Sequence, residues 1–459
     1  MTSGLSLRTT PIDGLLVVDL PLHGDSRGWF KENWQREKML ELGLPDFGPV
    51  QNNVSFNASA GATRGIHAEP WDKLVSLMTG RAFGAWVDLR PGPGFGTTAT
   101  VDLHPGVAVF VPRGVGNSYQ ALEDRTTYAY LVNEHWRPDV TYTAVALDDP
   151  ALAIAWPIPI ADAEVSEKDR NNPLLADVTP MEPRRTLILG GYGQLGRALR
   201  EVLPKADAVD LDTFDMTDAA AYAAVDWSRY DTVVNAAAYT AVDAAETPDG
   251  RRDAWSANAT ALVHLAAVAA KHRLTVVHVS SDYVFDGTRD VHDESEPFSP
   301  LGVYGQSKAA GDAVVATIAR HYVVRTSWVI GDGANFVRTM ARLAGDGISP
   351  AVVDDQVGRL TFTADLARGI VHLLDTRPAY GTYNLSGAGD PTSWYDVARE
   401  VFVRCGRSAD DVTPTSTEAY GEGKVLAPRP RHSVLDLTKI EATGFVPTPV
   451  SESLDAYLA

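Results

Sequence analysis

Hydrophobic and polar residues alternate over short segments in the first third of the chain, and this alternation stops near residue 160. The segments have the pattern of β-strands and are separated by turns rich in Gly and Pro, such as PGPGFG at 91–96. They are GLLVVDL (14–20), KLVSLMTG (73–80), FGAWVDLR (83–90), TATVDL (98–103), VAVFVP (107–112) and TTYAYLVN (126–133). Many short strands without a long helical period favour an antiparallel sandwich or barrel.

From about residue 186 the pattern changes to continuous apolar strands, each followed by a segment long enough for a helix. The predicted strands are TLILGG (186–191), DTVVNAAA (231–238), TVVHVSS (275–281) and YVVRTSWVI (322–330). This alternation is typical of a parallel, doubly wound α/β sheet. The polar segment between the two patterns is interrupted by prolines and has the composition of a linker in its later part. We therefore expect two domains, residues 1–178 and 186–459, joined by residues 179–185.

Composition narrows the class of protein. The 459 residues include 40 Lys plus Arg and 59 Asp plus Glu, so the formal net charge is −19. An acidic surface repels phosphate backbones and anionic lipids, which argues against nucleic-acid and membrane partners. The single cysteine, Cys405, excludes an intrachain disulfide. The chain shows no signal-peptide pattern and no apolar run that could span a bilayer, so we expect a soluble, cytoplasmic protein.

A glycine triplet lies where the first strand of the second half turns into a helix. Gly190 permits the tight turn, Gly193 lets the backbone approach a pyrophosphate, and Gly196 lets the helix pack on the strand. The alternative is a simple turn, but the strand before and the helix after favour a dinucleotide site. Asp210, with Asp212 as the alternative, is the candidate acceptor for ribose hydroxyls at the end of the second strand.

A second cluster of candidate residues carries proton-transfer chemistry. Ser281 ends a buried strand, and Tyr304 and Lys308 follow four residues apart, which places a phenol and an ammonium on one helical face. An ammonium nearby would lower the pKa of the tyrosine, and the serine hydroxyl could hold the same carbonyl oxygen. An exposed helix pair is the alternative for the tyrosine and lysine alone. Their position downstream of a dinucleotide loop favours a catalytic role.

The second half resembles the extended short-chain dehydrogenases and, among them, the dTDP-4-dehydrorhamnose reductase family. The motifs are GGYGQLG (190–196), VVNAAAYTAVDAAE (233–246), SSDYVFDG (280–287), YGQSKAAGD (304–312) and RTSWVIGDGANFVRTM (325–340). The resemblance implies a small substrate-binding lobe and catalysis by Ser281, Tyr304 and Lys308. It implies sugar contacts by Thr240, Asp282, Tyr283 and Trp328. It also implies NADPH or NADH as cofactor, bound by Gly190, Gly193, Gln194, Leu195, Gly196, Asp210, Ala236, Ala237 and Ala238 together with Tyr304 and Lys308.

Two departures from the reductase pattern affect its specificity. Leu211 stands where an arginine often follows the acidic residue, so we expect NADH to be at least as good a donor as NADPH unless Arg197 takes that place. Arg359 and Leu360 replace a Ser-Pro pair, which could alter the sugar pocket.

The first half contains the spacing of a cupin without its metal ligands. Gly106, Pro112, Gly114 and Asn117 resemble the second cupin motif, with asparagine in the histidine position. Metal-binding cupins need several histidines and a carboxylate, and here the candidates reduce to His67 and Glu69. We therefore expect no metal.

This half resembles the dTDP-4-dehydrorhamnose 3,5-epimerase family, a metal-free cupin with a jelly-roll barrel, over roughly residues 11–175. The motifs are DSRGWFKE (25–32), VQNNVS (50–55), RGIH (64–67), DKLV (72–75), FVPRGVGNSY (110–119) and SEKDRNNPLL (166–175). The resemblance implies His67 as base, Asp169 as its orienting carboxylate, Lys73 as enolate stabiliser and Tyr130 as acid. Trp136 replaces a tyrosine that stacks on thymine. Further substrate contacts fall on Arg27, Glu32, Gln51, Asn53, Arg64 and Asn117. Thr141 stands where a substrate-binding glutamate is usual.

Together the two resemblances imply a bifunctional enzyme that epimerises dTDP-4-dehydro-6-deoxy-D-glucose and then reduces its 4-keto group with NAD(P)H, giving dTDP-L-rhamnose. The main alternative is a 4-keto sugar-nucleotide reductase with a non-catalytic cupin that serves binding or dimerisation. Another alternative is a related deoxysugar product. Since epimerases of this type are typically dimers, we expect a homodimer formed through the cupin domain.

Overall fold

A computed structural model describes residues 4–136 and 142–459, so Thr141 lies outside the described residues. The chain divides into two compact units, Met1–Pro183 and Arg184–Ala459. In the part of the chain that is described, the helices are too short or too polar to cross a membrane.

The first unit consists mainly of short strands. They are β1 (Ser6–Thr9), β2 (Leu16–Asp19), β3 (His23–Asp25), β4 (Gly28–Phe30), β5 (Gln51–Asn57), β6 (Ala62–Ala68), β7 (Lys73–Thr79), β8 (Ala82–Asp88), β9 (Thr98–Leu103), β10 (Val107–Val111), β11 (Val115–Ala121), β12 (Thr126–Val132), β13 (Thr143–Ala144) and β14 (Glu164–Val165). Two short helices accompany them, α1 (Arg36–Glu41) and α2 (Glu167–Arg170).

These strands form two sheets with a shared core. One has the order β1-β2-β10-β7-β12-β5 and the other the order β13-β6-β11-β8-β9, with β14 parallel to β6. The other pairings in both sheets are antiparallel, as the alternating pattern predicts. Tyr119 on β11 stacks on Tyr128 on β12 with ring centroids 4.0 Å apart, which places their faces inward. The hairpin of β3 and β4 is separate from both sheets.

Three strands that the hydrophobic pattern does not single out, β5, β6 and β11, carry many of the candidate site residues. Strand β5 has an inverted pattern, because its polar Gln51 and Asn53 are half-buried while Val54 and Phe56 are exposed. Its inner face therefore offers polar groups to the interior of the sandwich. A search for apolar inward positions cannot find such a strand.

The second unit alternates strands and helices. Its strands are β15 (Arg185–Leu189), β16 (Asp207–Val209), β17 (Tyr230–Asn235), β18 (Thr275–Ser281), β19 (His321–Thr326), β20 (Val329–Ile330), β21 (Ala351–Val353), β22 (Val357–Gly358), β23 (Thr361–Phe362), β24 (Gly381–Asn384), β25 (Thr392–Ser393) and β26 (Thr413–Thr415). Its helices are α3 (Gln194–Val202), α4 (Ala219–Ala224), α5 (Pro248–Trp255), α6 (Ala261–His272), α7 (Val303–Val315), α8 (Phe336–Gly345), α9 (Thr363–Thr376), α10 (Trp394–Arg404), α11 (Thr417–Gly421), α12 (Thr438–Glu441) and α13 (Val450–Leu458).

The main sheet of this unit is parallel, with the order β16-β15-β17-β18-β19-β24. The prediction of one strand over 322–330 is wrong, because β19 ends at Thr326 and β20 pairs with β23 instead. Between them Trp328 has a φ of +44° and stacks on Trp394 with ring centroids 3.7 Å apart. A small lobe with its own core of Val337, Phe402 and Leu454 follows.

Gly65 on β6 lies in close contact with β11 beside the first site. Its φ is +121°, and a Cβ there would lie 2.5 Å from Ser118 Cβ and 2.7 Å from Asn117 O. We predict that Gly65→Ala lowers the free energy of unfolding of the first unit by about 1–3 kcal/mol for overpacking, beyond the roughly 1–3 kcal/mol for the positive φ. Gly92→Ala is the matched control, since Gly92 has a φ of +130° with no atom within 4 Å of its Cβ. Equal destabilisation of both variants in denaturant melts would contradict the prediction.

Candidate active sites

The first site begins with a histidine–carboxylate pair between β6 and α2. His67 Nε2 lies 2.8 Å from Asp169 Oδ1, and the backbone N–H of Gly65 donates to Asp169 Oδ2 at 3.3 Å. Burial would raise the pKa of Asp169, but the hydrogen bond and charge of His67, the N–H of Gly65 and the hydroxyl of Ser166 together outweigh it and lower the pKa below that of an ordinary carboxyl group. The carboxylate therefore stays ionised and fixes the ring, which leaves His67 Nδ1 as the nitrogen that can exchange a proton.

A buried lysine lies on the opposite sheet. Lys73 begins β7 and forms an ion pair with Glu69, which also accepts a hydrogen bond from Trp71 Nε1 at 3.0 Å. Lys73 Nζ lies 5.5 Å from the ring centroid of Tyr130 on β12. Burial, and next the charge of Glu69, raise the pKa of Tyr130 to about 12, so this phenol carries its proton at neutral pH. The sequence indicated Glu69 only as a remnant of a metal site, whereas the structure makes it the partner of Lys73.

Asn117, which stands in the histidine position of the cupin motif, is held by two donors. Its Oδ1 accepts hydrogen bonds from Trp86 Nε1 and Tyr128 Oη, both at 3.0 Å. Asn117 also pairs in register with His67 across β11 and β6. These bonds orient Asn117 within the aromatic core. Among the described residues, no group of three or more His, Cys, Asp and Glu side chains could hold a metal ion.

Several other predicted contact residues line the same sandwich. Gln51 Nε2 donates to Asn53 Oδ1 at 2.9 Å, and Asn53 pairs in register with Tyr130. Gln51 Oε1 accepts from the backbone N–H of the exposed Trp136 at 3.1 Å. Arg64 Nε donates to Asn57 Oδ1 at 3.3 Å.

Arg27 and Glu32 are not brought to this cluster by the structure. Arg27 lies in the exposed hairpin of β3 and β4 and is paired with Asp25. Glu32 is paired with Lys38 at 2.7 Å at the surface. Both side chains are therefore engaged with neighbours in their own segment, away from His67 and Asp169.

The second site begins at the turn from β15 into α3. Gly190 has a φ of +75°, and a Cβ there would lie 2.7 Å from the backbone nitrogen of Ala237, so the loop after β17 passes directly against it. Helix α3 begins after Gly193, which leaves its first N–H groups available for an anion. The loops 190–196 and 236–238 thus fit a dinucleotide. Leu195 is buried in the core, so its side chain packs rather than binds, and Gln194 Nε2 donates to Ala334 O at 3.5 Å.

Asp210 follows β16 at the edge of this turn. Its carboxylate accepts from the backbone N–H groups of Tyr192 at 3.0 Å and Leu211 at 2.9 Å. Arg197 donates to the carbonyl oxygens of Tyr192 at 2.5 Å and Asp332 at 2.8 Å. The carboxylate is thus tied to the glycine loop, and the arginine is held by two backbone carbonyls.

Ser281 ends β18 and is part of a serine–carboxylate network. Its Oγ donates to Asp282 Oδ1 at 2.8 Å and accepts from the backbone N–H of Tyr283 at 3.1 Å. Asp282 is buried and also accepts from Ser327 Oγ at 3.1 Å. Burial raises the pKa of this carboxyl group, and the surrounding hydroxyls oppose that change. Asp282 therefore accepts from the hydroxyls of Ser281 and Ser327, and together with the N–H of Tyr283 it holds Ser281 in place.

Tyr304 and Lys308 lie in α7, but their electrostatics differ from the sequence-based expectation. Burial raises the pKa of Tyr304 to about 12, and Ser281 is the side chain that hydrogen-bonds to it. Lys308 Nζ instead donates to Val279 O at 2.7 Å, and burial lowers its pKa to about 8. The expectation that Lys308 lowers the tyrosine pKa is therefore wrong in this structure, because the phenol is desolvated and the ammonium is bonded to β18.

A small pocket lies over Tyr304. It is lined by residues from four segments, among them Glu246, Tyr283, Gly302 and Pro428. Tyr283 contacts Tyr304 edge-on with ring centroids 5.7 Å apart. Glu246 accepts from the N–H of Val303 at 2.8 Å and so fixes the start of α7. The sequence motifs did not single out this acceptor, although it lies in the same motif as Thr240.

Three remaining predictions concern the sugar side of this site. Thr240 is exposed in the loop after β17, and Trp328 stacks on Trp394. Arg359 donates to the carbonyls of Gly389 at 2.8 Å and Leu435 at 3.1 Å. Arg359 is thus bonded to backbone carbonyls of the lobe.

Comparison with known proteins gives a match for each unit. The family described as RmlD substrate binding domain matches residues 184–459, and the family described as dTDP-4-dehydrorhamnose 3,5-epimerase matches residues 9–177. A protein named RmlC homolog from Streptococcus pyogenes serotype M6 is 49% identical over 180 residues, which cover 38% of this chain and 90% of that protein.

Two reductases are similar to the second unit. The dTDP-4-dehydrorhamnose reductase of Aggregatibacter actinomycetemcomitans is 35% identical over 288 residues, which cover 59% of this chain and 97% of that protein. A crystal structure of dTDP-4-dehydrorhamnose reductase from Bacillus anthracis in complex with NADP is 33% identical. The match to this structure has a TM-score of 0.55 and covers 60% of the present chain and 98% of the Bacillus anthracis chain.

Proposed function

The chain belongs to the RmlD substrate-binding family over residues 184–459 and to the dTDP-4-dehydrorhamnose 3,5-epimerase family over residues 9–177, and from this membership we propose two consecutive reactions. The resemblance drawn from the motifs is thereby confirmed. The protein is a bifunctional enzyme of dTDP-L-rhamnose biosynthesis. It epimerises dTDP-4-dehydro-6-deoxy-D-glucose at carbons 3 and 5 and reduces the 4-keto group with NAD(P)H. The observation that carries this proposal is that each unit holds its own set of acid–base side chains.

In the epimerase unit, we assign proton removal to His67. The ketone at carbon 4 acidifies the protons on carbons 3 and 5, and a neutral imidazole oriented by Asp169 can remove them. Lys73 provides the positive charge that steadies the enolate. Tyr130 is on the opposite sheet and carries its proton at neutral pH, so it can return a proton to the other face. The pair of Lys73 with Glu69 keeps the lysine in place before substrate binds.

In the reductase unit, we assign proton donation to Tyr304. The nicotinamide cofactor, when bound at the loops 190–196 and 236–238, supplies the hydride. Tyr304 is protonated at neutral pH and can give its proton to the oxygen on carbon 4. Ser281, fixed by Asp282 and the N–H of Tyr283, offers a hydroxyl to the same oxygen.

We also propose that a second copy of the chain completes the epimerase assembly, as a homodimer formed through the cupin barrel. Strand β5 is the end strand of its sheet and exposes Val54 and Phe56. The hairpin of β3 and β4 exposes Trp29 and Phe30 next to Arg27, whose predicted substrate contact is not made within its own chain. A dimer that covers β5 and the hairpin would bury these apolar side chains and carry Arg27 toward a partner site.

The first functional prediction concerns the base. His67→Ala should slow the incorporation of solvent deuterium at carbons 3 and 5 by about 10²–10⁴-fold, because one general base contributes a factor of that size. Reduction of pre-epimerised substrate should be unchanged, since the reductase residues lie in the other unit. His104→Ala, an exposed histidine in the turn between β9 and β10, is the matched control. Exchange at the wild-type rate in His67→Ala would favour the non-catalytic cupin instead.

The second prediction separates the reactions. Residues 1–183 and 184–459, expressed separately and then mixed, should together convert the 4-keto substrate into the reduced L-sugar, because each unit contains a full set of candidate residues. Product analysis by NMR of each part alone and of the mixture measures this. If residues 184–459 alone reduce the unepimerised substrate as fast as the mixture does, the assigned division of labour is wrong.

The third prediction concerns the electron donor. NADH should support reduction at least as well as NADPH, because Asp210 stands at the end of β16 and would repel a 2′-phosphate, while Arg197 is bonded to two carbonyls. Steady-state kinetics with both donors measure the preference. A strong NADPH preference that is lost in Arg197→Ala would show that Arg197, rather than Asp210, decides the specificity.

A further inference from the structure

Buried ionisable side chains surround Lys308 where α7 packs on the main sheet of the second unit. Lys308 Nζ lies 3.4 Å from Nε2 of His278, which belongs to β18. Asp312 follows one turn later on α7, and its Oδ1 lies 3.9 Å from the same histidine nitrogen. Arg325 on β19 donates from Nε to Asp312 Oδ2 at 3.0 Å. All four residues are at most 3% exposed, so their charges are set by one another rather than by water.

The hydrogen bonds fix which nitrogen of His278 carries the proton. Asn235 Oδ1 accepts from the backbone N–H of Ala237 at 3.1 Å, so its amide nitrogen must face His278 Nδ1, which lies 3.0 Å away. An amide nitrogen only donates, so Nδ1 accepts and neutral His278 carries its proton on Nε2. Burial, and next the charge of Lys308, lower the pKa of His278 well below its usual value. The imidazole is therefore neutral, with its N–H directed toward Lys308 and Asp312.

This arrangement makes the charge of Lys308 depend on Asp312. If the lysine is an ammonium, it donates to Val279 O, and its remaining N–H groups and the His278 N–H need a further acceptor. Asp312 Oδ1 is buried near Ser280, and a carboxylate oxygen can accept more than one hydrogen bond, so it can take that role. If the lysine is neutral, its lone pair can accept from His278 and the carboxylate is not needed. Burial raises the pKa of Asp312, and the charge of Arg325, the hydroxyl of Ser280 and the charge of Lys308 oppose that change. The ionised carboxylate in turn favours the ammonium form of Lys308.

We propose that Asp312, held by Arg325, is a positioning residue that keeps Lys308 charged during reduction. Neutral His278 lies in contact with the ammonium. This inference rests on the proposed function, in which Tyr304 donates a proton in reduction, and on the catalytic role of Lys308 that the resemblance implies. Asp312 acts through Lys308 and needs no contact with the sugar. None of the family motifs quoted above assigns it a role.

The direction of the effect follows from the charges around Lys308. Burial lowers its pKa to about 8, and Asp312 opposes that decrease. Removing the carboxylate charge should lower the lysine pKa further, so the ammonium would be lost at a lower pH. The other ionisable groups nearby do not reverse this. His278 is neutral, Tyr304 is protonated up to about pH 12, and Arg325 is a second cation that would add to the decrease.

The test is the pH dependence of kcat for reduction of pre-epimerised substrate by the full-length chain with saturating NADH. Wild type should lose activity as pH rises through about 8. In Asp312→Asn this alkaline limb should move down by about one pH unit or more, and kcat at pH 8 should fall by about fivefold or more. KM for the sugar should change less than about twofold, because Asp312 does not contact substrate. Asp312→Glu, which keeps the carboxylate, should restore the limb toward the wild-type pH.

A second variant serves as the control for a loss of folding. Asp312→Asn alone leaves Arg325 as a buried charge without its carboxylate, which can destabilise the unit. The double variant Asp312→Asn with Arg325→Gln removes both charges and should still show a downward move of the limb, smaller than that of Asp312→Asn because the cation Arg325 is removed as well. Thermal melts and fluorescence titration with NADH verify that each variant is folded and binds the dinucleotide.

The outcomes distinguish the inference from the function on which it rests. A folded variant without the Asp312 carboxylate whose alkaline limb stays at the wild-type pH overturns the role of Asp312. So does an Asp312→Glu variant with a limb as low as that of Asp312→Asn. A wild-type chain that reduces the sugar at no pH overturns the proposed reductase function itself.

Discussion

A charged side chain that is removed from water needs a partner of opposite charge, and this constraint determines the geometry of both sites. In the first unit Asp169 is paired with His67 and Lys73 with Glu69. In the second unit Asp312 is paired with Arg325 beneath Lys308. Each pair contains or adjoins a side chain to which we assign a catalytic role, so the geometry for the proposed proton transfers is already present in the folded chain.

Burial also keeps two tyrosines, one in each unit, protonated at neutral pH. Desolvation is the largest cause that raises the pKa of Tyr130 and of Tyr304 to about 12. Both phenols therefore keep their protons at neutral pH and are suited to donate them, one to a carbon and the other to an alkoxide oxygen. The sandwich and the parallel sheet are different folds, but each places a phenol in a site with little solvent and so keeps it protonated.

Much of the fold could be predicted from the sequence, since strands such as TATVDL and TVVHVSS have patterns that match their observed bounds. Strand β5 could not, because its inner face is polar, and the break at Trp328 depends on a stacking partner 66 positions away in Trp394. The motifs placed His67, Asp169, Tyr304 and Lys308 in clusters. They could not give the pKa of Tyr304 or the partners of Lys73 and Asp312, because these depend on burial and on contacts between elements.

The most direct test of the two proposed reactions is one incubation in D₂O with the whole chain, dTDP-4-dehydro-6-deoxy-D-glucose and reduced cofactor, followed by NMR of the sugar product. We expect a product reduced at carbon 4 that carries deuterium at both carbon 3 and carbon 5 with inverted configuration. Without the cofactor we expect deuterium exchange at these carbons and no reduction. A reduced product that carries hydrogen at carbons 3 and 5 would contradict the proposed function, because reduction would then proceed without the epimerase site.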